Sequence, residues 1–479
     1  MGYPGPLGPL GADHPKGLHP ETPTTDTTLD CDVVVIGSGA GGGTAAAVLA
    51  AQGLEVVVLE KGGYFDDADF TGTELTGLTT LYASGPSATA EGQMSLLEAQ
   101  CLGGGTVVNY STSFRTPDRI RHEWAATGAT EFLSDDYDRA MDAVWSRQGV
   151  NGDYSQPSHR DQIMERGLTA FGWHIGSLDR NVIGCDAGAV CGRCGYGCPL
   201  GAKQSVAKTW LMDAEAAGAR ILTGVDVRTI TTARGSAKSV EGRTASGVTV
   251  TVRARAVVVA GGSVQTPAIL KRSGFTNPNI GRHLRLHPAT AVWAEFDEEV
   301  RPWEGAMQSR YSTERSDIGG SGYGVVYETA AANPALSVAF LSWRGAQRHL
   351  EIMRNLSHFS SVGVITRDQD SGEVKVGKDG EPTMHYTLSA RDAARMHAGV
   401  DGGARILEAA MAALHIMGSA RMGGSAETSA ANPEGVTWEA ENVVIADAST
   451  FPTSSGVNPM VTIEAIAHLN ATRLAGRLT

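Results

Sequence analysis

The fold of this chain is decided by residues 31–61, which read C-D-V-V-V-I-G-S-G-A-G-G-G-T-A-A-A-V-L-A-A-Q-G-L-E-V-V-V-L-E-K. Val33 to Ile36 and Val56 to Leu59 are short apolar runs, which predict two buried strands. Between them, Thr44 to Ala51 are mostly small residues that favour a helix. The order of strand, helix and strand predicts a βαβ unit in a parallel sheet.

The glycines between the first strand and the helix form the pattern G-x-G-x-x-G. In that pattern the first glycine permits a tight turn, the second lets backbone approach a pyrophosphate, and the third lets helix and strand pack closely. The helix N-terminus then offers free N–H groups to the phosphates. A carboxylate at the end of the second strand can accept hydrogen bonds from ribose hydroxyls. We therefore predict a dinucleotide site at Gly37, Gly39, Ala40, Gly42 and Glu60.

The composition excludes several classes of protein. A length of 479 residues suits one large domain or two interleaved domains. A net charge of -13 without a basic run excludes nucleic acid as an expected partner. No apolar stretch approaches the length of a transmembrane segment, and the N-terminus lacks the pattern of a secretory signal. We expect a cytoplasmic protein without a transmembrane segment.

Outside the first βαβ unit, periodicity predicts a series of further elements. Residues 1–28, rich in Pro, Gly and Thr, predict a flexible arm, and the polar residues 66–100 predict irregular structure. Helices are predicted at Tyr137 to Arg147, in the G-G-S-V-Q-T-P-A-I-L-K-R-S-G segment with Pro267 near its start, at 389–414 and at Thr462 to Leu478. Strands are predicted at 219–230, Val248 to Val252, Ala256 to Ala260, Val443 to Ile445, and through much of 283–386.

Two polar residues near the C-terminus predict catalysis on an alcohol. His415 lies in H-I-M-G-S-A-R-M-G-G, and Asn458 lies in T-S-S-G-V-N-P-M. A neutral imidazole can accept a hydroxyl proton, and an amide can donate a hydrogen bond to the oxygen that remains. The alternative readings are a packing histidine and a turn asparagine that bonds its own backbone before Pro459.

Four motifs of this chain resemble those of the glucose–methanol–choline (GMC) family of flavoenzymes, and they occur in the order found in that family. They are the first glycine pattern, G-G-G-T-V-V-N at 103–109, G-S-V-Q-T-P-A-I-L-K-R-S-G at 262–274, and H-I-M-G-S with N-P-M between 415 and 460. Within the family the chain resembles the long-chain alcohol oxidase branch. Members of that branch share C-G-x-C-x-x-G-C-x-x-G-x-K, as at Cys191 to Lys203, and T-P-x-x-x-R-x-E-W, as at Thr116 to Trp124.

The resemblance implies an α/β fold, in which a Rossmann-like FAD-binding domain of the GMC type is interleaved with a substrate domain built on an antiparallel sheet with helices. It implies an FAD-binding domain formed by 29–117, 181–282 and 436–479, and a substrate-binding domain formed by 118–180 and 283–435. Some relatives attach FAD covalently through a histidine in the second glycine loop. Here Val108 occupies the neighbouring position, so the flavin would be non-covalent. The implied cofactor residues beyond the first loop are Gly104, Thr106, Asn109, Val227, Asp447, Asn458, Pro459 and Met460.

Four of the six cysteines fall within fourteen residues, at Cys185, Cys191, Cys194 and Cys198. Their spacing resembles that of iron–sulfur ligands, so we expect an iron–sulfur cluster that carries electrons outward. A zinc site is a second reading, because C-x2-C pairs suit tetrahedral sulfur coordination. Free or disulfide-linked thiols that stiffen a loop are the third. Cys31 and Cys101 are expected to be small core residues.

Together these patterns predict an FAD-dependent oxidoreductase that oxidises the CH–OH group of a small-molecule alcohol to an aldehyde or ketone. His415 is the expected base, and hydride passes to the flavin. The electron acceptor is oxygen, a quinone or a redox protein. Two rival hypotheses are a non-redox GMC-type flavoprotein, such as a lyase or a decarboxylase, and an inactive flavin-binding protein.

Overall fold

The structure is a computed structural model that describes residues 17–83, 87–185, 192–233, 235–341, 343–411, 421–440, 442–445 and 460–478. Within these ranges the side chains of 338–340, 460–464, 466, 477 and 478 are not described. The chain divides into two compact units, Met1–Ala410 and Met411–Thr479. Each unit is described by itself.

The strands and helices of the described residues are named in chain order. The strands are β1 Thr27–Ile36, β2 Val56–Leu59, β3 Ser87–Ala88, β4 Ser95–Leu96, β5 Thr112–Ser113, β6 Gly176–Ser177, β7 Asp179–Arg180, β8 Arg220–Leu222, β9 Asp226–Ala233, β10 Ser236–Arg243, β11 Thr249–Val259, β12 Arg282–Leu284, β13 Ala289–Glu295, β14 Arg310–Ser312, β15 Val325–Glu328, β16 Phe359–Thr366, β17 Gly372–Val376 and β18 Pro382–His385. The α-helices are α1 Ala40–Ala51, α2 Glu74–Thr80, α3 Gly105–Val108, α4 Asp118–Ala126, α5 Asp135–Arg147, α6 His159–Phe171, α7 Trp210–Ala216, α8 Gly262–Arg272, α9 Pro334–Phe340, α10 Ala346–Arg354, α11 Ala390–Met411 and α12 Met460–Leu478.

A six-stranded sheet in the order β8-β2-β1-β11-β10-β9 contains the predicted βαβ unit. Its first four strands are parallel, and β10 pairs antiparallel with both β11 and β9. Successive residues of β1 enter opposite cores: Val33 and Val35 pack with α1 and α7, whereas Val34 and Ile36 pack with β9, β10 and α8. Burial on both faces explains the unbroken apolar runs, since each fully buried aliphatic side chain contributes about 1.5–3 kcal/mol.

The predicted βαβ unit is confirmed, and its neighbours differ from prediction in detail. Strand β2 has the predicted bounds, while α1 begins at Ala40, four residues before the small-residue run. The two strands predicted across 248–260 are one strand, β11, whose whole length pairs with β1 or β10. The single strand predicted at 219–230 is divided into β8 and β9 by a turn in which Gly224 has φ +72°.

A five-stranded antiparallel sheet in the order β13-β16-β15-β14-β6 combines β6 at 176–177 with four strands from 289–366. Alternate residues of β15 and β16, such as Tyr327 and Val364, are fully buried and pack against α6 and α11. Tyr327 also donates from its hydroxyl to the Gly399 carbonyl of α11 at 3.1 Å. The strand-rich region predicted at 283–386 is confirmed, but it also contains α9 and α10.

Smaller corrections concern single elements. Residues 66–100 contain α2, because Glu74 accepts hydrogen bonds from the backbone N–H groups of Ala335 and Leu336 and holds that turn in place. Pro267 lies in the middle of α8 rather than near its start. In the segment predicted to be a flexible arm, residues from 17 onward are described, and Leu18 is buried in the core beside α1.

The unit Met411–Thr479 is described through a loop region and its closing helix. Helix α12 confirms the helix predicted at Thr462 to Leu478 and begins two residues earlier. Instead of the predicted strand at Val443 to Ile445, a single bridge joins Val444 to Val436. Asn470 of α12 is buried, and its amide donates to the Ile445 carbonyl at 3.1 Å. The helix therefore fixes the end of the loop region.

Candidate functional site

A cavity of about 360 Å³ lies at the carboxyl ends of β1 and β2, within the size range of ligand pockets. Residues from six separated segments, 36–41, 59–61, 83, 98–105, 225–227 and 260–269, form its walls. Among its lining residues are six of the predicted cofactor residues, namely Gly37, Gly39, Ala40, Glu60, Gly104 and Val227. Ligands of open α/β sheets bind at this edge, because the loops that follow parallel strands meet there.

The first glycine loop has no room for a side chain at two of its three pattern positions, Gly37 and Gly42. Gly37 has φ +92°, a conformation that side-chain-bearing residues rarely adopt. A Cβ at Gly42 would lie 2.0 Å from the Gly37 carbonyl oxygen, so helix α1 packs directly on the turn. Gly39 precedes the first turn of α1, whose N-terminal N–H groups are available to a bound anion.

Glu60 is buried at the end of β2 and is held by three hydrogen bonds. Its Oε2 accepts from the Ser38 backbone N–H at 3.0 Å and the Ser38 hydroxyl at 2.6 Å, and its Oε1 accepts from the Gly62 N–H at 2.7 Å. The Ser38 Oγ in turn accepts from the Gly103 N–H at 3.0 Å. Ser38 thus joins the acidic residue to both glycine loops, a role that the variable position of G-x-G does not reveal.

The second glycine loop, residues 101–109, approaches the first one closely. A Cβ at Gly104, which has φ +54°, would lie 2.8 Å from the Gly39 Cα. Thr106 is turned away from the cavity; its hydroxyl donates to the Gly103 carbonyl at 2.6 Å and accepts from the Val206 N–H at 3.0 Å. Thr106 therefore stabilises the loop rather than lining the site.

Charged residues at the cavity rim were not predicted from the sequence. Lys61 and Asp226 form an ion pair at 3.5 Å, and both line the cavity. Glu98 also lines it, and burial raises the pKa of its carboxyl group. Lys61 follows β2, Asp226 begins β9 and Glu98 follows β4. The three come together only in the folded chain, so the linear sequence gave no signal for them.

The remaining predicted site residues have different outcomes. Asn109 is exposed, and its Oδ1 accepts from the Ser111 N–H at 3.2 Å, outside the cavity wall. The catalytic candidates His415 and Asn458, together with Asp447 and Pro459, lie outside the described residues. Met460 is the first residue of α12.

Three of the four clustered cysteines, Cys185, Cys194 and Cys198, are described and buried, whereas Cys191 is not described. The fully buried guanidinium of Arg180 lies between two of them: its Nη1 is 3.7 Å from Cys185 Sγ and its Nη2 is 3.8 Å from Cys194 Sγ. Burial raises the pKa of the Cys198 thiol, and Cys194 raises it further.

The arrangement of these sulfurs gives no support to the predicted iron–sulfur cluster or to zinc. Among the residues that the structure describes, no group of three or more His, Cys, Asp or Glu side chains is placed to hold a metal ion. A guanidinium in contact with two of the sulfurs supplies the positive charge there instead. Within the described part of the chain, no helix is long and apolar enough to cross a membrane.

The fold and the cavity define a dinucleotide-binding α/β oxidoreductase. Family models described as GMC oxidoreductase match residues 33–289 and 368–467. The chain is 32% identical to long-chain-alcohol oxidase FAO4B of Arabidopsis thaliana, over 97% of this chain and 70% of that protein. It is equally similar, at 32%, to long-chain-alcohol oxidase FAO3 of the same plant, over 94% of this chain and 68% of that protein.

Solved structures show the same fold. Pyridoxine 4-oxidase from Mesorbium loti superposes with a TM-score of 0.59 at 17% identity, covering 93% of this chain and 99% of its own. The chain therefore belongs to the GMC oxidoreductase family and is a flavoprotein oxidoreductase. The predicted family and fold class are both confirmed.

Proposed function

We propose that this protein is an FAD-dependent oxidoreductase that converts the CH–OH group of a small-molecule alcohol into an aldehyde or ketone. The observation that carries the proposal is the convergence of both glycine loops, Glu60 and Val227 on one cavity in a GMC chain. The names of its long-chain-alcohol oxidase relatives support an alcohol as the substrate.

The cavity fits the dinucleotide part of FAD. The pyrophosphate would face the N-terminus of α1 at Gly39. Gly104 lies next to Gly39, and a side chain at Gly104 would fill the space between the two glycine loops. Glu60 retains acceptor capacity for ribose hydroxyls, because each carboxylate oxygen has two lone pairs. The Val227 backbone would meet the adenine. When bound, FAD supplies a two-electron acceptor for hydride.

Catalysis is assigned to His415 and Asn458 from their sequence context. His415 accepts the hydroxyl proton of the substrate, and the Asn458 amide donates a hydrogen bond to the oxygen that develops negative charge. Asn109, Asp447, Asn458, Pro459 and Met460 are assigned to the flavin and its ribityl chain by the family resemblance alone. The electron acceptor is oxygen, a quinone or a redox protein.

The activity is tested by mixing the purified holoprotein anaerobically with alcohols of increasing chain length and following flavin absorbance. Bleaching with at least one alcohol, accompanied by aldehyde or ketone formation, is expected. An oxidised spectrum with every alcohol would contradict the proposal and favour the non-redox or inactive alternative. Acid precipitation of the same preparation should release all flavin, because we propose non-covalent binding; colour in the pellet would contradict this.

The role of His415 is tested separately by His415→Ala. Flavin reduction by alcohol should slow by about 100- to 10,000-fold, as is typical when a general base is lost, while FAD stays bound. The exposed His468 of α12 offers a matched control, since His468→Ala should reduce flavin at the native rate. A native rate in His415→Ala would remove His415 from the mechanism.

A further inference from the structure

The cysteine loop, defined here as residues 192–203, carries most of the C-G-x-C-x-x-G-C-x-x-G-x-K motif, whose last residue is Lys203. No step of the proposed reaction uses it. The structure shows, however, that this loop lies directly against the second glycine loop, which contains Asn109. The contact between the two loops is polar and almost fully buried.

Lys203 makes the central contact between these loops. Its side chain is 2% exposed, and its Nζ donates to the carbonyl oxygens of Val107 at 2.8 Å, Asn109 at 2.6 Å and Cys194 at 2.7 Å. The first two acceptors belong to the glycine loop and the third to the cysteine loop. An ammonium group has three N–H donors, so one charged group can join the three backbone positions.

Neighbouring contacts show that the two loops form one packed assembly. The Tyr82 hydroxyl donates to the Gly195 carbonyl at 2.7 Å, and Tyr110 packs with Cys194 in a small apolar cluster. On the far side of Cys194, Arg180 contacts its sulfur at 3.8 Å. Cys194 is therefore held by a buried cation on its carbonyl and by another on its sulfur.

The position of the Asn109 backbone depends on this buried ammonium. Carbonyl oxygens that lose their donor inside a protein must find another partner or move, because an unsatisfied buried acceptor is costly. The residues that follow Asn109 pass into β5, which pairs with β7; the Asn181 N–H donates to the Ser111 carbonyl at 3.2 Å, and the Thr112 hydroxyl donates to Gln308 Oε1 at 2.7 Å. Without Lys203 the turn at Val107–Asn109 would lose its charged anchor.

We propose that Lys203 is a positioning residue for the flavin: its ammonium group fixes the turn at Val107–Asn109 against the cysteine loop and places a buried positive charge behind the second glycine loop, whose Gly104 and Gly105 line the cavity. The inference rests on the proposed function in one respect, namely that the second glycine loop faces FAD. It assigns Lys203, the last residue of the cysteine motif, to cofactor binding.

Two consequences distinguish this role from simple structural stabilisation. Removal of the ammonium should weaken FAD binding more than it lowers the stability of the apoprotein. It should also lower the midpoint potential of the bound flavin, because reduction adds negative charge that a nearby buried cation favours. A residue that only stabilises the fold would leave the potential of the remaining holoprotein unchanged.

The test compares Lys203→Met, Lys203→Gln and Lys203→Arg with Lys208→Met. Lys208 is a matched control, because its Nζ also contacts the cysteine loop, at the Gly201 carbonyl, and pairs with Asp67 Oδ2, both at 2.5 Å, without touching the glycine loop. The measurements are FAD titration of the apoprotein, the flavin midpoint potential of the holoprotein, and circular dichroism with thermal unfolding.

Lys203→Met and Lys203→Gln are expected to bind FAD at least about tenfold more weakly and to show a lower midpoint potential, with Lys203→Arg recovering most of both. Lys208→Met should resemble the wild type. If Lys203→Met does not fold, Lys203→Gln, which keeps donor groups but no charge, decides. Wild-type FAD affinity and potential in a folded neutral variant would overturn the inference. Failure of the wild-type chain itself to bind FAD would instead overturn the proposed function.

Discussion

The first glycine loop and the cysteine loop are both short, glycine-containing segments with a recognisable spacing. The structure confirms the predicted turn and helix start of the first, whereas among the described residues it gives no support to the metal predicted at the second. In the glycine loop the spacing acts through backbone geometry: the Gly42 position lies against the Gly37 carbonyl, and α1 starts at once. In the cysteine loop the spacing indicated a metal, whereas the structure shows Arg180 and Lys203 as buried partners of the loop.

The difference teaches that a motif is reliable when its meaning lies within its own few residues. Turn, helix start and close packing follow from the glycine pattern itself. A set of cysteines is ambiguous, because its meaning depends on which other groups the fold brings to the sulfurs. Arg180 is near Cys185 in the chain, but nothing in its position indicates contact with Cys194 as well.

The largest effect is expected from Gly42→Val in the first glycine loop. Because a Cβ there would lie 2.0 Å from the Gly37 oxygen, the turn and the start of α1 must separate, and FAD binding should be lost. The flavin-to-protein ratio after desalting measures this. Gly476→Ala in α12 is the control: a Cβ at Gly476 meets nothing within 4 Å and the residue does not line the cavity, so the ratio should stay intact. Equal flavin content in both variants would contradict a steric role for the pattern.

The cysteine loop is tested by Arg180→Leu. The change removes the group that contacts two sulfurs and donates to the Tyr154 carbonyl at 3.0 Å, so the apoprotein should lose about 3 kcal/mol of unfolding free energy. Chemical denaturation measures the loss. Arg348→Leu, at an exposed position of α10, should have little effect. An unchanged denaturant concentration at the unfolding midpoint of Arg180→Leu would show that other groups hold the sulfurs.

A moderate effect is expected from Glu60→Ala, because Glu60 holds Ser38 of the first glycine loop. The carboxylate orients Ser38 and Gly62, and its loss should weaken FAD binding by about tenfold, equivalent to about 1.4 kcal/mol. Titration of the apoprotein with FAD measures this. Glu98→Gln, at the rim of the same cavity, should change the affinity much less. The reverse order would place the ribose at the other end of the cavity.

The smallest effect concerns thiol reactivity. Burial raises the pKa of Cys31 to about 11 and that of Cys101 to about 12, and it also raises the pKa of Cys198. The neutral thiol therefore predominates at pH 7 to 8, and alkylation should be at least about tenfold slower than for a free cysteine, becoming faster as the pH rises. Site-resolved mass spectrometry after iodoacetamide treatment measures the rates. Rapid alkylation of Cys198 at neutral pH in the folded protein would show a thiolate there.

Several sequence predictions still await experiment. They include the bounds of the two interleaved domains, a cytoplasmic location, and the roles of His415 and Asn458. The strands of the six-stranded sheet come from residues 27–59 and 220–259, and those of the five-stranded sheet from 176–177 and 289–366. The bounds of the two domains stay a prediction, because substrate and flavin contacts are what define the domains functionally.

The sequence by itself determined the βαβ unit, the glycine loop and the position of Glu60, since continuous apolar runs and backbone sterics act between residues close in the chain. It also determined the family, through motifs that stand in a fixed order. The division of 219–230 into β8 and β9 and the fusion of two predicted strands into β11 were decided by pairing with distant strands.

Only the tertiary structure decided how the site is assembled. Ser38 became a link because Glu60 and Gly103 meet at its hydroxyl. Asp226 reached the cavity because the chain that leaves β8, the neighbour of β2, passes Glu60, whose carbonyl accepts from the Val225 N–H at 2.9 Å. Lys203 acquired three carbonyl partners from segments about nine and ninety residues away. Such contacts form between loops that are distant in the chain, and neither hydrophobic periodicity nor the spacing within a motif predicts which of these loops will be in contact.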